Sequence, residues 1–200
     1  DSAEVDPSTY FGPGQIILGV GSAFRTYNGL QYTTIEGLRF TRGSGGLVFN
    51  VGGTDFEHRG FVMAGNQSYD TNALLSVGTF SLSDTTGLAE VDFYNNRSEK
   101  IAGWAFKSYG NRLHGHVRNN YFTDGNICHA LGGAVYSQNK QNDALRTKLR
   151  VHGNHAQYMR NGTGNCAFDG CGFYADTRDD GTLFYGNTIA HCFLALQTNN

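Results

Sequence analysis

Val91-Asp92-Phe93-Tyr94-Asn95-Asn96, His116-Val117-Arg118-Asn119-Asn120, Leu149-Arg150-Val151-His152-Gly153-Asn154 and Leu183-Phe184-Tyr185-Gly186-Asn187 are four versions of one phrase, an alternating run that stops at Asn. Apolar and polar residues alternating over a few positions predict a strand with one buried face. The closing Asn suits a turn, because its short amide tolerates the left-handed backbone region. Each phrase has a second half, Gly103-Trp104-Ala105-Phe106-Lys107-Ser108, Gly133-Ala134-Val135-Tyr136-Ser137-Gln138, Gly172-Phe173-Tyr174-Ala175-Asp176 and Phe193-Leu194-Ala195-Leu196-Gln197. One such strand pair cannot bury its apolar face alone, so the copies are expected to stack with inward positions aligned. The inward set includes Val91, Phe93, Val117, Val151, Phe184, Ala105, Ala134 and Ala195. Asn96, Asn120, Asn154 and Asn187 then fall one above another, and a hydrogen-bonded amide ladder is preferred for them over ligand binding.

Upstream, Thr34–Phe40, Gly46–Val51 and Phe61–Met63 read as further short strands separated by Gly and Asn, while helical periodicity is missing. The 28 Gly against 2 Pro fit many tight turns, and 39% hydrophobic residues with 16% charged fit a packed interior. The expected fold class is all-β, a parallel solenoid forming one domain over residues 1–200, with 1–14 an irregular lead-in. The last strand runs straight into the end of the sequence, so an excerpt of a longer chain, or a partner at that end, is expected. Long loops emerge on one side, over Tyr121–Gly132 and Gln157–Gly170, where function tends to reside.

Net charge is −2, and the basic residues are scattered Arg with only four Lys, which argues against nucleic acid. No apolar run reaches membrane-spanning length, and residues 1–14 lack a signal-peptide pattern. Cys128, Cys166, Cys171 and Cys192 contain no CxxC pair, so zinc is not expected; Cys166 and Cys171 are close enough to close a small loop, with buried thiols as the alternative. The triplets starting at Asn66, Asn96 and Asn161 spell glycan acceptors, but in an Asn-rich chain chance is the preferred account.

The strand, Asn turn, strand pattern over about residues 15–200 resembles the pectin-lyase-like right-handed parallel β-helix superfamily of polysaccharide lyases, glycoside hydrolases, epimerases and phage tailspikes. Within it, Phe106–Phe122 is similar to a Lys-Ser, Asn, then Asn-x-Phe run of β-helix alginate and chondroitin lyases. That resemblance implies a groove for sugar chains and casts Lys107 as the base. The partner segment Arg-His-Gly of those lyases is replaced here by Ala134-Val135-Tyr136-Ser137, so the carry-over stops at Lys107.

Beside the resemblance, β-elimination needs a base near the sugar C5 proton and a cation to neutralise the uronate, either Arg or Ca²⁺. Lys107, Tyr136 and Asp176 take corresponding outward places in successive second strands and are expected to form one row. His114, His116, His129, His152 and His155 gather in sequence, with His114 and His116 sharing a strand face. Asp169, Asp176, Asp179 and Asp180, with Arg160 and Arg178, offer a carboxylate-pair or Ca²⁺ alternative, solvated turn charges being preferred. The candidate catalytic residues are therefore Lys107, Tyr136 and His116, and the candidate substrate-binding residues Trp104, His114, Tyr158, Arg160, Asp176 and Arg178. No metal ligand is assigned, and Ca²⁺ is the cofactor left open. The expected function is a lyase on an acidic glycan. The alternatives are a non-catalytic tailspike or adhesin that binds a receptor glycan, homotrimeric if a tailspike, and a hydrolase using two carboxylates. A secreted, cell-surface or virion-associated setting follows from each.

Overall fold

The computed structural model describes the backbone of residues 17–18, 22–26, 34–37, 39–41, 45–51, 57–64, 67–69, 75–79, 88–100, 104–109, 112–125, 132–138, 148–159, 170–176 and 181–198. Side chains are described at 34–37, 90–100, 104–108, 114–125, 133–138, 148–159, 171–176 and 181–198. The strands begin with β1 (Ile17–Leu18) and β2 (Ser22–Thr26). Two triplets follow, β3 (Thr34–Glu36), β4 (Arg39–Thr41) and β5 (Gly45–Val51), then β6 (Glu57–Ala64), β7 (Gln67–Tyr69) and β8 (Leu75–Thr79). Next come β9 (Leu88–Tyr94), β10 (Arg97–Glu99) and β11 (Trp104–Tyr109), then β12 (Arg112–Arg118), β13 (Tyr121–Thr123) and β14 (Gly132–Gln138). The final triplets are β15 (Lys148–His152), β16 (His155–Gln157) and β17 (Gly170–Asp176), and β18 (Leu183–Tyr185), β19 (Thr188–Ala190) and β20 (Leu194–Thr198).

Each strand pairs in parallel with the strand three places along the chain. The first sheet runs β1-β4-β7-β10-β13-β16-β19, the second β2-β5-β8-β11-β14-β17-β20, and the third β3-β6-β9-β12-β15-β18. The chain thus visits three sheets in rotation, and among the described residues every regular element is a strand, which makes the described part all-β.

The repeat holds three strands where the sequence suggested two. The additional strand belongs to the first sheet, starts directly after the turn Asn, and in β10, β13, β16 and β19 is three residues long. Three residues are too few to display alternation, and such a strand is held by parallel neighbours rather than by its own pattern. Thr34–Phe40 divides for a related reason: Gly37 takes φ +69 and ends β3 before β4 begins.

Inward residues form columns through the stack. Phe93, Val117, Val151 and Phe184 are register partners, as are Ser98, Phe122, Ala156 and Ile189, and Phe106, Val135, Phe173 and Leu196. Large and small residues alternate along the column Ser98, Phe122, Ala156 and Ile189, and the other columns mix Phe with Val. Phe93, Phe106, Phe122 and Phe173 are fully buried, each contributing roughly 1.5–3 kcal/mol of transfer free energy. Of the residues read as inward, Val91, Phe93, Val117, Val151, Ala105 and Ala134 lie in this core and Phe184 packs against it half-buried. Ala195 instead is exposed, because it sits in β20, the outermost strand of its sheet.

The turns between third and first sheets are built on the amide ladder. Asn120 Oδ1 accepts from the Asn96 backbone N–H at 2.9 Å and from Asn96 Nδ2 at 3.0 Å. Asn154 Oδ1 repeats this for Asn120 at 3.0 and 2.9 Å, and Asn187 Oδ1 for Asn154 at 2.9 Å each. The second amide hydrogens reach the carbonyls of Phe93, Val117 and Val151 from Asn120, Asn154 and Asn187 at 3.0, 2.8 and 2.8 Å. The left-handed backbone falls not on the ladder Asn, as the sequence suggested, but on the residue before it, Asn95 at φ 55°, Asn119 at 54°, Gly153 at 65° and Gly186 at 61°, which frees the ladder amide to bond along the stack. Asn96 is buried with its Nδ2 committed to Asn120, so the triplet at Asn96 is no glycan acceptor as folded. The triplets at Asn66 and Asn161 lie outside the described residues.

Replacing Asn120 by Ala removes, in the interior, the acceptor of the Asn96 backbone N–H and of one Asn96 Nδ2 hydrogen, at an expected loss of about 2–4 kcal/mol in urea unfolding. Gly115→Ala is expected to be comparably damaging, since a Cβ there would stand 2.0 Å from the Val91 carbonyl oxygen at a backbone φ of +118°. A midpoint within error of wild type for either variant would refute this account of the stack.

Candidate functional site

The outward face of the second sheet gathers the densest chemistry. Trp104 opens β11 beside Gly133, where a Cβ would meet the Cys171 carbonyl oxygen at 1.9 Å and Trp104 Cζ3 at 2.8 Å, so glycine there admits both the neighbouring strand and the indole. The rings of Trp104, Tyr136 and Tyr174 lie 5.2, 5.9 and 5.4 Å apart pairwise, the two tyrosines edge to face. All three are buried although they point away from the main core, and Cys171 completes the cluster. Polar tips then need partners. Tyr136 donates its hydroxyl hydrogen to Asp176 Oδ2 at 2.7 Å, Tyr174 donates to Asp176 Oδ1 at 3.3 Å, and Gln138 Nε2 donates to Oδ2 at 3.3 Å. The Lys107 ammonium nitrogen stands 5.8 Å from the Tyr136 ring centre, a long cation–π approach.

Lys107, Tyr136, Asp176 and Trp104 are therefore neighbours, with one change to the expected row. The register partner of Lys107 and Tyr136 in β17 is Tyr174, and Asp176 pairs instead with Gln138, two positions further on. Asp176 joins the group by bonding back to the Tyr136 hydroxyl rather than by lying beside it in the row. The sequence offers Tyr174 only as one of several aromatics near the long loops that could stack on sugar rings, and does not place it in this row. Counting from the glycines, Gly133 and Gly172, would have offset it, because Gly133 pairs with Cys171 and not with Gly172.

His114 and His116 do share an outward face, but on β12 of the third sheet, so the structure does not bring them together with Lys107. His116 Nδ1 and His152 Nε2 are 3.1 Å apart, one ring donating to the other, and the His152 ring stacks on Tyr185 at 4.8 Å. Beside them Arg118 makes a bidentate pair with Asp92 at 3.0 and 2.8 Å and lies 4.2 Å over the Tyr94 ring. His155 belongs elsewhere, stacked on Tyr121 of the first sheet. Tyr158 stands exposed in the turn after β16 with φ 55°, stacked on His191, apart from the second-sheet strands that hold Lys107 and Tyr136.

Arg160, Arg178, His129, Asp169, Asp179 and Asp180 lie outside the described residues, as do Cys128 and Cys166. Cys171 donates to Gln197 Oε1 at 3.1 Å, and half-buried Cys192 points at the Ala156 and Ala190 carbonyls, its thiol pushed up by burial. Among the described residues, no group of three or more His, Cys, Asp and Glu side chains converges as a metal site would require, and no helix is long and apolar enough to cross a membrane. Compared with known protein families, curated proteins and solved structures, the chain matches none.

The His152 imidazole is held below the usual histidine range, chiefly by burial and then by the neighbouring His116 and Arg118, with Arg150 adding to this and Asp92 opposing it. The unfolded chain consequently takes up this proton first. The stability tied to neutral His152 is present above about pH 6.5 and is lost as pH falls below it. Between about pH 8 and pH 5 the melting temperature of wild type is expected to fall more steeply than that of His152→Gln. Parallel slopes would remove His152 from the pH dependence.

Proposed function

We propose that this chain is a right-handed parallel β-helix of the pectin-lyase-like kind that acts on polysaccharide. The three parallel sheets visited in rotation and the amide ladder support that class. Within it, the reading best supported is a lyase that cleaves a uronate-containing glycan by β-elimination. One observation carries it: three successive circuits each contribute one ionisable group to a single cluster, Lys107 over the ring of Tyr136 and the Tyr136 hydroxyl on Asp176.

In this scheme the neutral Lys107 amine takes the C5 proton, the electron pair of that C–H bond forms C4=C5, and the C4–O bond breaks. The departing oxygen takes the Tyr136 hydroxyl proton, and the phenolate is reprotonated from the Lys107 ammonium, which resets both groups. Asp176 acts as a positioning residue that fixes the phenol before substrate arrives. Trp104 and Tyr174 wall the position. Arg160 and Arg178, near in sequence, are the candidates for the uronate carboxylate, a role Ca²⁺ also fills chemically. His116 has no part in these steps, since its strand belongs to the third sheet.

Elimination leaves an unsaturated sugar that absorbs in the ultraviolet. Alginate, pectate and glycosaminoglycan substrates, assayed with and without Ca²⁺, are expected to give rising absorbance with at least one polymer. Lys107→Ala and Tyr136→Phe are expected to lower the rate about a hundredfold or more with the fold intact. Binding without absorbance change on every polymer would favour the non-catalytic glycan-binding reading, and full activity in Lys107→Ala would remove that residue from the chemistry.

A further inference from the structure

The outward face of β12 and β15 is a patch of a different kind. In register across the two strands, His114 faces Lys148, His116 faces Arg150, and Arg118 faces His152. Three of the seven histidines and three of the 15 lysines and arginines thus occupy two adjacent strands of a chain whose net charge is −2. With strands about 4.8 Å apart and outward residues about 6.6 Å apart along each, these six side chains form a flat grid roughly 5 by 13 Å.

Among the described residues, internal partners account for only part of that grouping. Each of these cross-strand pairs sets a histidine against a Lys or Arg, so the two strands carry no carboxylate at these six positions. Only Arg118 has a carboxylate, Asp92 on β9. Lys148 and Arg150 are exposed and make no ion pair among the described residues. The His116–His152 contact requires one ring to accept a hydrogen bond, so it is strained further whenever both rings are protonated. Exposed cations grouped in register beside three histidines, with no ion pair among the described residues, point to an external ligand of opposite charge.

We propose that this face of the third sheet is a second, non-catalytic site that binds a linear acidic polysaccharide lying along β12 and β15. The three basic columns stand in line, as a chain carrying repeated carboxylate or sulfate groups requires. Tyr94 and Tyr185 border the same end of the grid, and Tyr185, 49% exposed, offers ring surface for a sugar. Glu90 and Asp92, the register partners of His114 and His116 on β9, flank the grid with negative charge. That flank favours a narrow chain with one charge per sugar over a wide, densely charged duplex. The site is independent of elimination at Lys107, since it lies on another sheet and holds a chain without acting on it.

Affinity electrophoresis at low salt and about pH 6 tests this, with polygalacturonate, dextran sulfate, neutral dextran or duplex DNA set in the gel. Wild type is expected to be retarded by at least one of the two acidic polymers, the stronger arm naming carboxylate or sulfate, and not by neutral dextran. The double variant Lys148→Glu, Arg150→Glu is expected to bind about tenfold more weakly at an unchanged melting temperature. Arg97→Glu, which reverses an exposed charge on the first sheet, is expected to bind as wild type. Equal binding by the double variant, equal loss in Arg97→Glu, retardation by neutral dextran, no retardation by either acidic polymer, or tighter binding to DNA would each overturn the proposal. Turnover of a short uronate oligosaccharide is expected to be the same in the double variant and wild type. If neither turns it over, the elimination reading fails while the binding comparison still decides this one.

Discussion

A buried primary amide has two donors and a carbonyl to satisfy, and the row Asn96, Asn120, Asn154 and Asn187 satisfies them only if successive circuits keep one register. The intervals along this row are 24, 34 and 33 residues, so the circuits differ in length by up to ten residues while their turns superpose. Extra residues are tolerated because the ladder, and not the loop length, sets where each strand begins. A slip of one residue would break three hydrogen bonds of the side-chain amides at each step and would also exchange the inward and outward faces of the strands that follow.

Everything on the surface inherits this register. Side chains that are 24 to 34 residues apart in sequence stand side by side, so a functional cluster is written as a column across circuits and not as a local motif. Where a column contains a glycine, space opens for a neighbour, as Gly133 does for Trp104. Where the column contains polar tips, they meet across circuits, as Tyr136, Tyr174 and Gln138 meet at Asp176.

The ladder was legible in the sequence because Asn recurs at the end of each alternating run, and an amide in that place has a physical reason to be there. The strands of the third sheet were legible for the same reason: Val91-Asp92-Phe93 and Leu149-Arg150-Val151 alternate, and the structure buries Val91, Phe93, Leu149 and Val151. The first sheet was not legible. Its strands, such as Arg97-Ser98-Glu99, are too short to carry a period and owe their conformation to pairing with the circuits on either side. The gathering of Lys107, Tyr136, Trp104 and Asp176 could be anticipated from strand position, whereas Tyr174 and the pairing of Asp176 with Gln138 could not, because the offset depends on which residue of β17 faces Gly133. For His116, sequence proximity to the other histidines was informative about His152 and misleading about Lys107, which a circuit's corner separates onto another sheet.

The same stacking rule gives opposite electrostatic results on the two faces. On the second sheet, unlike groups meet under cover: three donors converge on one carboxylate, and the buried rings hold them in place. A ligand entering there must replace a bond already made, which demands close complementarity and suits chemistry at a fixed atom. On the third sheet, Lys148 and Arg150 stand in the open beside histidines, where they remain hydrated and an anion meets them without displacing a partner among the described residues. Screening makes each such contact weak, so that face gains strength only by repetition along a chain. Selectivity is thus a property the buried columns can supply and reach a property of the exposed ones, and both follow from which residue types the ladder brings into register.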